Sequence, residues 1–270
     1  MFDYGKIYSK IGSEDLTSLN FGFKLDSKKA AIARMYFSFF GYPDVASQMR
    51  YSLITRLLKL RKGQRVLDAG CGNGIYVHQL TDSYQVIGIG VDGRRDRIKL
   101  ATRINKLLRF NNYFKISLLE NFNLKFKKFD KIICLEVLEH INEDRKVVKK
   151  LGKHLKIGGT MIITIPMKGT ALSLKDEHDP NFEPEEFEHV RSGYDKEEIM
   201  NICKSSNFKK VTVREYFFLF SKYAVKLQQF LYKRKLVTLN LLLSPVLSLV
   251  AYLDNYIKIY PRGYIVILTK

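Results

Sequence analysis

Val66-Leu67-Asp68-Ala69-Gly70-Cys71-Gly72-Asn73-Gly74 is the stretch on which the fold turns. Apolar residues finish a buried strand, an acid follows, and glycines at alternate positions open a helix. Glycine tolerates positive φ and close backbone approach, so such a turn lets main-chain N–H groups face a ligand at a helix N-terminus. The dinucleotide fingerprint would need a glycine at position 75, which is Ile75, so a nicotinamide or flavin site is disfavoured. A tight strand–helix turn with no ligand is the bland alternative.

On either side the pattern alternates. Strands are expected at Arg65–Ala69, Gln85–Val91, Phe114–Leu119, Asp130–Leu135 and Thr160–Ile165. Helices are expected at Ile75–Thr81, Arg94–Leu108 and Glu143–Leu155. Such alternation implies crossover connections and a parallel sheet covered on both faces. Asp195 with Glu198 three residues on has capping-box spacing and starts a further helix. Lys210–Arg214 and Tyr264–Leu268 supply a sixth and a seventh strand. The expected fold is therefore α/β: a doubly wound, seven-stranded, mostly parallel sheet. Residues 1–62 read as an N-terminal helical extension, with helices at Ser27–Phe40 and from Pro43 to Leu60, and residues 63–270 as the main domain.

The 270 residues are 46% hydrophobic, which is enough for a buried core and excludes disorder. Three scattered cysteines, Cys71, Cys134 and Cys203, exclude a disulfide framework or a Cys-x-x-Cys ribbon and favour a reducing compartment. No apolar h-region follows Met1, so no signal peptide is expected and a cytoplasmic protein is. The net charge of +19 points to an anionic partner, or to lysines on solvated faces.

Downstream of the glycine turn, Val86-Ile87-Gly88-Ile89-Gly90-Val91-Asp92 is a second strand ending in an acid. Leu118-Leu119-Glu120-Asn121 ends the third, and Phe129-Asp130-Lys131-Ile132-Ile133-Cys134-Leu135-Glu136-Val137-Leu138-Glu139-His140-Ile141 spans the fourth. Together with the turn Leu155-Lys156-Ile157-Gly158-Gly159-Thr160, this set resembles the class I S-adenosylmethionine-dependent methyltransferases over roughly residues 50–215. Within that family it resembles the ubiquinone-biosynthesis O-methyltransferases. The resemblance implies S-adenosylmethionine as methyl donor. Asp68, Ala69, Gly70, Cys71, Gly72, Asn73 and Gly74 would hold its methionine end. Asp92 and Gly93 would hold the ribose, Glu120 and Asn121 the adenine, and Leu135 and Glu136 would close the pocket. Asp92 also suits a helix cap.

Methyl transfer is an in-line displacement at a sulfonium carbon, favoured by alignment in a dry site. A hydroxyl acceptor also needs a base. His140 stands past the fourth strand's carboxyl end, where open α/β sheets bind ligands. His78 and His154 read as ordinary surface or cap residues. Glu136, Glu139 and His140 have the spacing of one helical face, open to three readings: a structural network, a base, or, by the resemblance, a divalent-metal site. No metal is expected. Residues 167–194 are too long for a simple connection and read as a lid or as a solvated loop. Candidate bases there are His178 and His189, and His189, Arg191 and Tyr194 loosely match a family segment.

The C-terminal insertion, about 220–260, is basic and apolar by turns. Two helices broken at Pro245 are expected, either buried against the core or lying on a membrane surface. Peripheral contact with an inner membrane face through residues 222–262 is the second of these. An O-methyltransferase acting on a small molecule, lipid precursor or cell-surface sugar ranks first among the functions. The alternatives are an RNA-modifying methyltransferase and a catalytically silent binding module. Nucleic acid is disfavoured as a partner because Leu135-Glu136-Val137-Leu138 stands where amino-methylases carry a Pro-Pro aromatic tetrad.

Overall fold

The computed structural model describes residues 2–19, 25–122, 128–170, 190–204 and 207–270. Its elements, in chain order, are α1 (Ser13–Ser18), α2 (Ser27–Phe40), α3 (Val45–Leu58), β1 (Arg65–Ala69), α4 (Ile75–Tyr84), β2 (Ile87–Asp92), α5 (Arg95–Leu107), β3 (Tyr113–Ile116), β4 (Phe129–Leu135), α6 (Asp144–His154), β5 (Leu155–Pro166), α7 (Lys196–Lys204), β6 (Lys210–Tyr216), α8 (Leu219–Lys233), α9 (Val237–Tyr252) and β7 (Gly263–Thr269). The sheet order is β3-β2-β1-β4-β5-β7-β6. Strands β1 to β5 run parallel, and β7 lies antiparallel between β5 and β6. This is the expected fold class. From β1 the chain winds outward through β2 and β3, then returns to the other side of β1 as β4. That reversal opens a crevice at the carboxyl ends of β1 and β4.

Period-two alternation builds a core on each face of the sheet. Val66, Ile133, Ile162 and Ile265 point into one core, shared with α2, α3, α4, α8 and α9. Leu67, Ile132, Ile163 and Val266 point into the other, covered by α6 and α7. Both side-chain sets are buried, which is why these strands read as continuous apolar runs. The N-terminal helices join the first core through aromatic contacts. Tyr4 packs on Tyr76 at 5.0 Å between ring centroids, and Tyr8 on Phe37 at 5.9 Å. A hydrogen bond from Ile7 N to Gln79 Oε1 (3.0 Å) ties the same segment to α4.

Several boundaries depart from expectation. Gln85 caps α4 in the left-handed conformation (φ 53°), so β2 starts at Ile87. β3 stops at Ile116, and Leu118–Asn121 forms a turn instead of a strand end, with Asn121 N bonded to Leu118 O (3.2 Å). The glycine turn before the fifth strand is a bulge inside β5, where pairing with β4 skips from Leu155 to Thr160. The capping box is realised: Asp195 N donates to Glu198 Oε2 (2.9 Å), and Glu198 N to Asp195 Oδ1 (2.8 Å). α9 runs unbroken through Pro245, with Ser244 Oγ 3.5 Å from the Leu241 carbonyl that proline leaves without its usual partner. The break falls earlier, between α8 and α9, where Lys235 takes a positive φ of 56°.

The candidate cofactor crevice and its acceptor side

The turn after β1 is laced to β2. Gly70 N and Cys71 N both donate to Val91 O (2.8 and 3.0 Å), and Gly74 N to Cys71 O (2.9 Å). Gly72 N donates to Asp92 Oδ2 (2.8 Å), and Asp92 Oδ1 accepts from Arg94 N (2.9 Å). Asp92 thus holds the turn and the entry to α5 at once. Each of its oxygens keeps a lone pair for a further donor. The N–H groups of Gly70, Cys71, Gly72 and Gly74 are therefore spent inside the protein rather than aimed at a ligand.

What the turn offers instead is space and a buried acid. A Cβ at Gly72 (φ +52°) would meet nothing within 4 Å. A Cβ at Gly70 (φ +86°) would stand 2.3 Å from Val137 Cγ2, so the turn abuts the segment that follows β4. Asp68 is 2% exposed, and its Oδ2 has no hydrogen-bond partner. Burial, with the Asp92 charge second, pushes its pKa up to about 8. Burial and the same two acids raise the Cys71 thiol, so it is no nucleophile. An orphaned carboxylate oxygen beside an open glycine cradle fits a cationic amino-acid moiety, and the residues present fit S-adenosylmethionine.

After β4, Glu136 adopts a left-handed backbone (φ 54°) while its N–H still pairs with Thr164 O (3.0 Å). The next residues make one short 3-10 turn, Leu138–His140. Glu136, Glu139 and His140 consequently do not share a helical face. The Glu136 carboxylate accepts from Tyr216 Oη (2.5 Å) at the end of β6 and lies 3.7 Å from Arg50 of α3. Burial disfavours the Arg50 charge, yet Glu136, joined by Tyr76, Tyr216 and Asp44, more than offsets this and the guanidinium is held charged. Burial and Glu136 together keep the Tyr216 phenol protonated. Arg50, Glu136, Tyr216 and Arg262 line a cavity of about 30 Å³. Glu139 is buried, its Oε2 lacks a partner, and burial with the Glu136 charge raises its pKa well above the carboxylate range.

His140 is half-buried at the end of the short turn after β4. Glu120 and Asn121 lie in the turn after β3, and Gly93 in the bend after β2. His178 and His189 lie outside the described residues. Arg191 and Tyr194 act as clamps on the post-β4 segment. Arg191 pairs with Asp144 (2.7 Å) and donates to Ile141 O (2.9 Å), while Tyr194 Oη donates to Leu138 O (2.9 Å). Val190 N donates to Glu139 O (2.9 Å). His78, expected at the surface, is fully buried against Phe114 (5.1 Å between rings), and burial lowers its pKa to about 3. Arg50, Tyr216 and Arg262 were not legible as site residues. The sixth strand, expected to end at Arg214, runs on to Tyr216. Among the described residues, no three His, Cys, Asp or Glu side chains gather to hold a metal.

Known proteins are similar to this chain in sequence over part of its length and in fold. The ubiquinone biosynthesis O-methyltransferase of Coxiella burnetii is 29% identical over 103 residues, 38% of this chain and 44% of that protein. The tRNA U34 carboxymethyltransferase of Campylobacter concisus is 30% identical over 176 residues, 63% of this chain and 57% of that one. The chain therefore spans about half the length of the curated relatives it matches. The phosphoethanolamine N-methyltransferase 2 of Haemonchus contortus, solved with S-adenosyl-L-methionine, superposes with a TM-score of 0.59 at 18% identity, covering 83% of this chain and 52% of that one. The family described as "Methyltransferase domain" matches residues 60–214, more than half of the chain. With the sheet order, the open glycine cradle and the buried acid beside it, that match makes this chain a member of the methyltransferase-domain family, whose methyl donor is S-adenosylmethionine.

Proposed function

We propose that the protein is an O-methyltransferase acting on the hydroxyl of a small molecule, a lipid precursor or a sugar. The observation that carries it is the Arg50–Glu136–Tyr216 cluster, whose Glu136 directly precedes the Val137 that abuts the glycine turn. A carboxylate held between a guanidinium and a phenol orients a polar acceptor, while two arginines, Arg50 and Arg262, favour one that carries negative charge. When bound, S-adenosylmethionine supplies an electrophilic methyl group. Asp68 and Asp92 would hold it, the former at its cationic end and the latter at hydroxyls. Glu136 and Tyr216 position the acceptor. His140 takes the proton the hydroxyl loses, a role worth about 10²–10⁴-fold in rate; His178 and His189 are the other candidates. A tRNA acceptor is the second reading, supported by the Campylobacter relative and the +19 charge.

The test is transfer of labelled methyl from S-adenosylmethionine into hydroxylated small molecules, lipid extracts and bulk tRNA in parallel. Label in an ether of a small or lipid acceptor, with His140→Ala slowing turnover at unchanged donor affinity, supports the proposal. Label only in RNA, or no donor binding by calorimetry, overturns it.

A further inference from the structure

Helix α9 turns an apolar face to water. Its outward stripe, Leu239, Leu242, Val246, Leu249 and Leu253, recurs at helical spacing and is exposed, Leu242 to 69%. Its inward face buries Asn240, Ser244, Leu247, Ser248 and Ala251, with Leu243 packed beside them, so it mixes polar and apolar side chains. A helix in water keeps its large apolar residues on the inward face and polar ones outside. The loop that follows adds Tyr256 (76% exposed), Ile257, Ile259 and Tyr260 (71% exposed). Contiguous exposed apolar surface on this scale marks an interaction site.

The hairpin is nevertheless firmly docked by polar ties on its inner side. Tyr36 of α2 hydrogen-bonds Ser244. Gln228 Nε2 donates to Pro43 O (2.8 Å), and Val45 N donates to Gln228 Oε1 (3.1 Å). The buried Asp254 carboxylate accepts from Phe218 N (2.8 Å), Phe220 N (3.0 Å) and Ser221 N (3.1 Å), closing α8 against the end of α9. The exposed stripe is therefore a fixed face rather than a frayed end.

Charge identifies its occupant. Between residues 219 and 262 there are seven Lys and Arg and one acid, Asp254, which is turned inward. Lys226, Lys233, Arg234, Lys235 and Lys258 are exposed around the apolar face. Two copies of this chain meeting through it would bring like charges together. We propose that α8, α9 and the loop after them dock the protein on an anionic lipid bilayer, with the Leu239–Leu253 stripe in the acyl boundary and the lysines among phosphate headgroups. Val237–Asn255 is long and apolar enough to cross a membrane by length and composition, at a mean hydropathy of 1.6. A third of it is buried against the protein, so it lies along the surface rather than through it. Along the chain the face ends at Tyr260, two residues before Arg262, which lines the Glu136 cavity.

The experiment is flotation of the full chain with vesicles of phosphatidylglycerol and phosphatidylcholine, against phosphatidylcholine alone, at about 0.1 and 0.5 M salt. Recovery about tenfold higher with the anionic vesicles, and lower at high salt, is expected. The double substitution Leu242→Glu and Leu249→Glu changes only exposed positions. It should lower anionic-vesicle binding about tenfold or more while leaving the melting temperature unchanged. Lys233→Glu with Lys235→Glu should do the same through charge. Equal recovery on both vesicle types, or none on either, overturns the proposal. So does a dimer in solution that the Leu242→Glu, Leu249→Glu protein no longer forms, because the face then belongs to a second copy.

Discussion

Replacing Asp68 with asparagine separates what this residue costs the fold from what it gives the site. Its folded-state pKa of about 8 compares with an ordinary value of 3.8. Between those two pH values the folded protein keeps a proton that the unfolded chain has released. Stability therefore falls as pH rises through that window, by up to about 1.4 kcal/mol per unit, and levels off above pH 8. Summed over the window this is on the order of 5 kcal/mol, a large share of a domain's total stability. Asparagine has no proton to lose. Its amide still needs partners that Asp68 Oδ2 lacks, a cost of about 1–3 kcal/mol that does not change with pH. The variant should thus start level with or below the native protein near pH 5 and overtake it by a few kcal/mol by about pH 8. Urea unfolding across that range measures the difference directly. Donor affinity should move the opposite way. A carboxylate facing a cationic ligand is needed ionised, so native affinity should climb toward pH 8 and the asparagine variant's should be weaker and flat. Parallel stability curves for the two proteins would refute the buried, protonated Asp68, and undiminished affinity in the variant would refute its contact with the donor.

Two further outcomes follow from the same geometry. Gly72→Ala should cost only the left-handed strain, about 1–2 kcal/mol, yet cut donor affinity about tenfold or more by filling the cradle, whereas Gly70→Ala must also displace Val137 and should unfold several degrees lower; thermal melts and calorimetry on both variants show whether the cradle and the strut are distinct. His78 is held neutral with a folded pKa of about 3 against 6.5, so the unfolded chain takes up a proton that the folded one refuses, and stability is lost as pH falls below 6.5 by up to about 1.4 kcal/mol per unit. His78→Leu should flatten that acid limb and move the acid unfolding midpoint down, and coincident limbs would show that His78 titrates normally.

The nucleotide-side half of the fold was legible because its signals are local. Each of β1, β2 and β4 is a short apolar run with both faces buried, and each ends at an acid or a glycine that fixes the turn. Where tertiary contacts decide, the sequence misleads. Leu118 and Leu119 continue the apolar run of β3, but Leu119 reaches the core from a turn. Pro245 looks like a helix stop, yet α9 is held by its neighbours and passes through it. The true break, at Lys233-Arg234-Lys235, carries no glycine or proline. His78 looks like a surface histidine because its helix is short. It is buried because Phe114 of β3 and the Ala101 stretch of α5 stand against it.

The site divides along the same line. Asp68, Gly70, Gly72 and Asp92 sit within one strand–helix–strand unit, so spacing alone gathers them. Glu136 was legible as a position but not in its partners. Its spacing to Glu139 and His140 suggests a shared helical face, and a single left-handed residue undoes it, because φ 54° at Glu136 swings that carboxylate away from the turn that follows. It meets Tyr216 instead, eighty residues along the chain, and Arg50 from a helix that precedes the sheet altogether. Neither partner belongs to a recurring pattern. Acceptor contacts on such folds come from segments free to vary while the donor half stays fixed. Arg50, Tyr216 and Arg262 come from just those segments: a helix before the sheet, the end of the sixth strand, and the approach to the seventh. A chain read from its spacing alone therefore discloses its donor before its acceptor, and the acceptor side proposed above rests on Glu136, whose partners Arg50 and Tyr216 both lie outside the strand–helix–strand unit that carries Asp68 and Asp92.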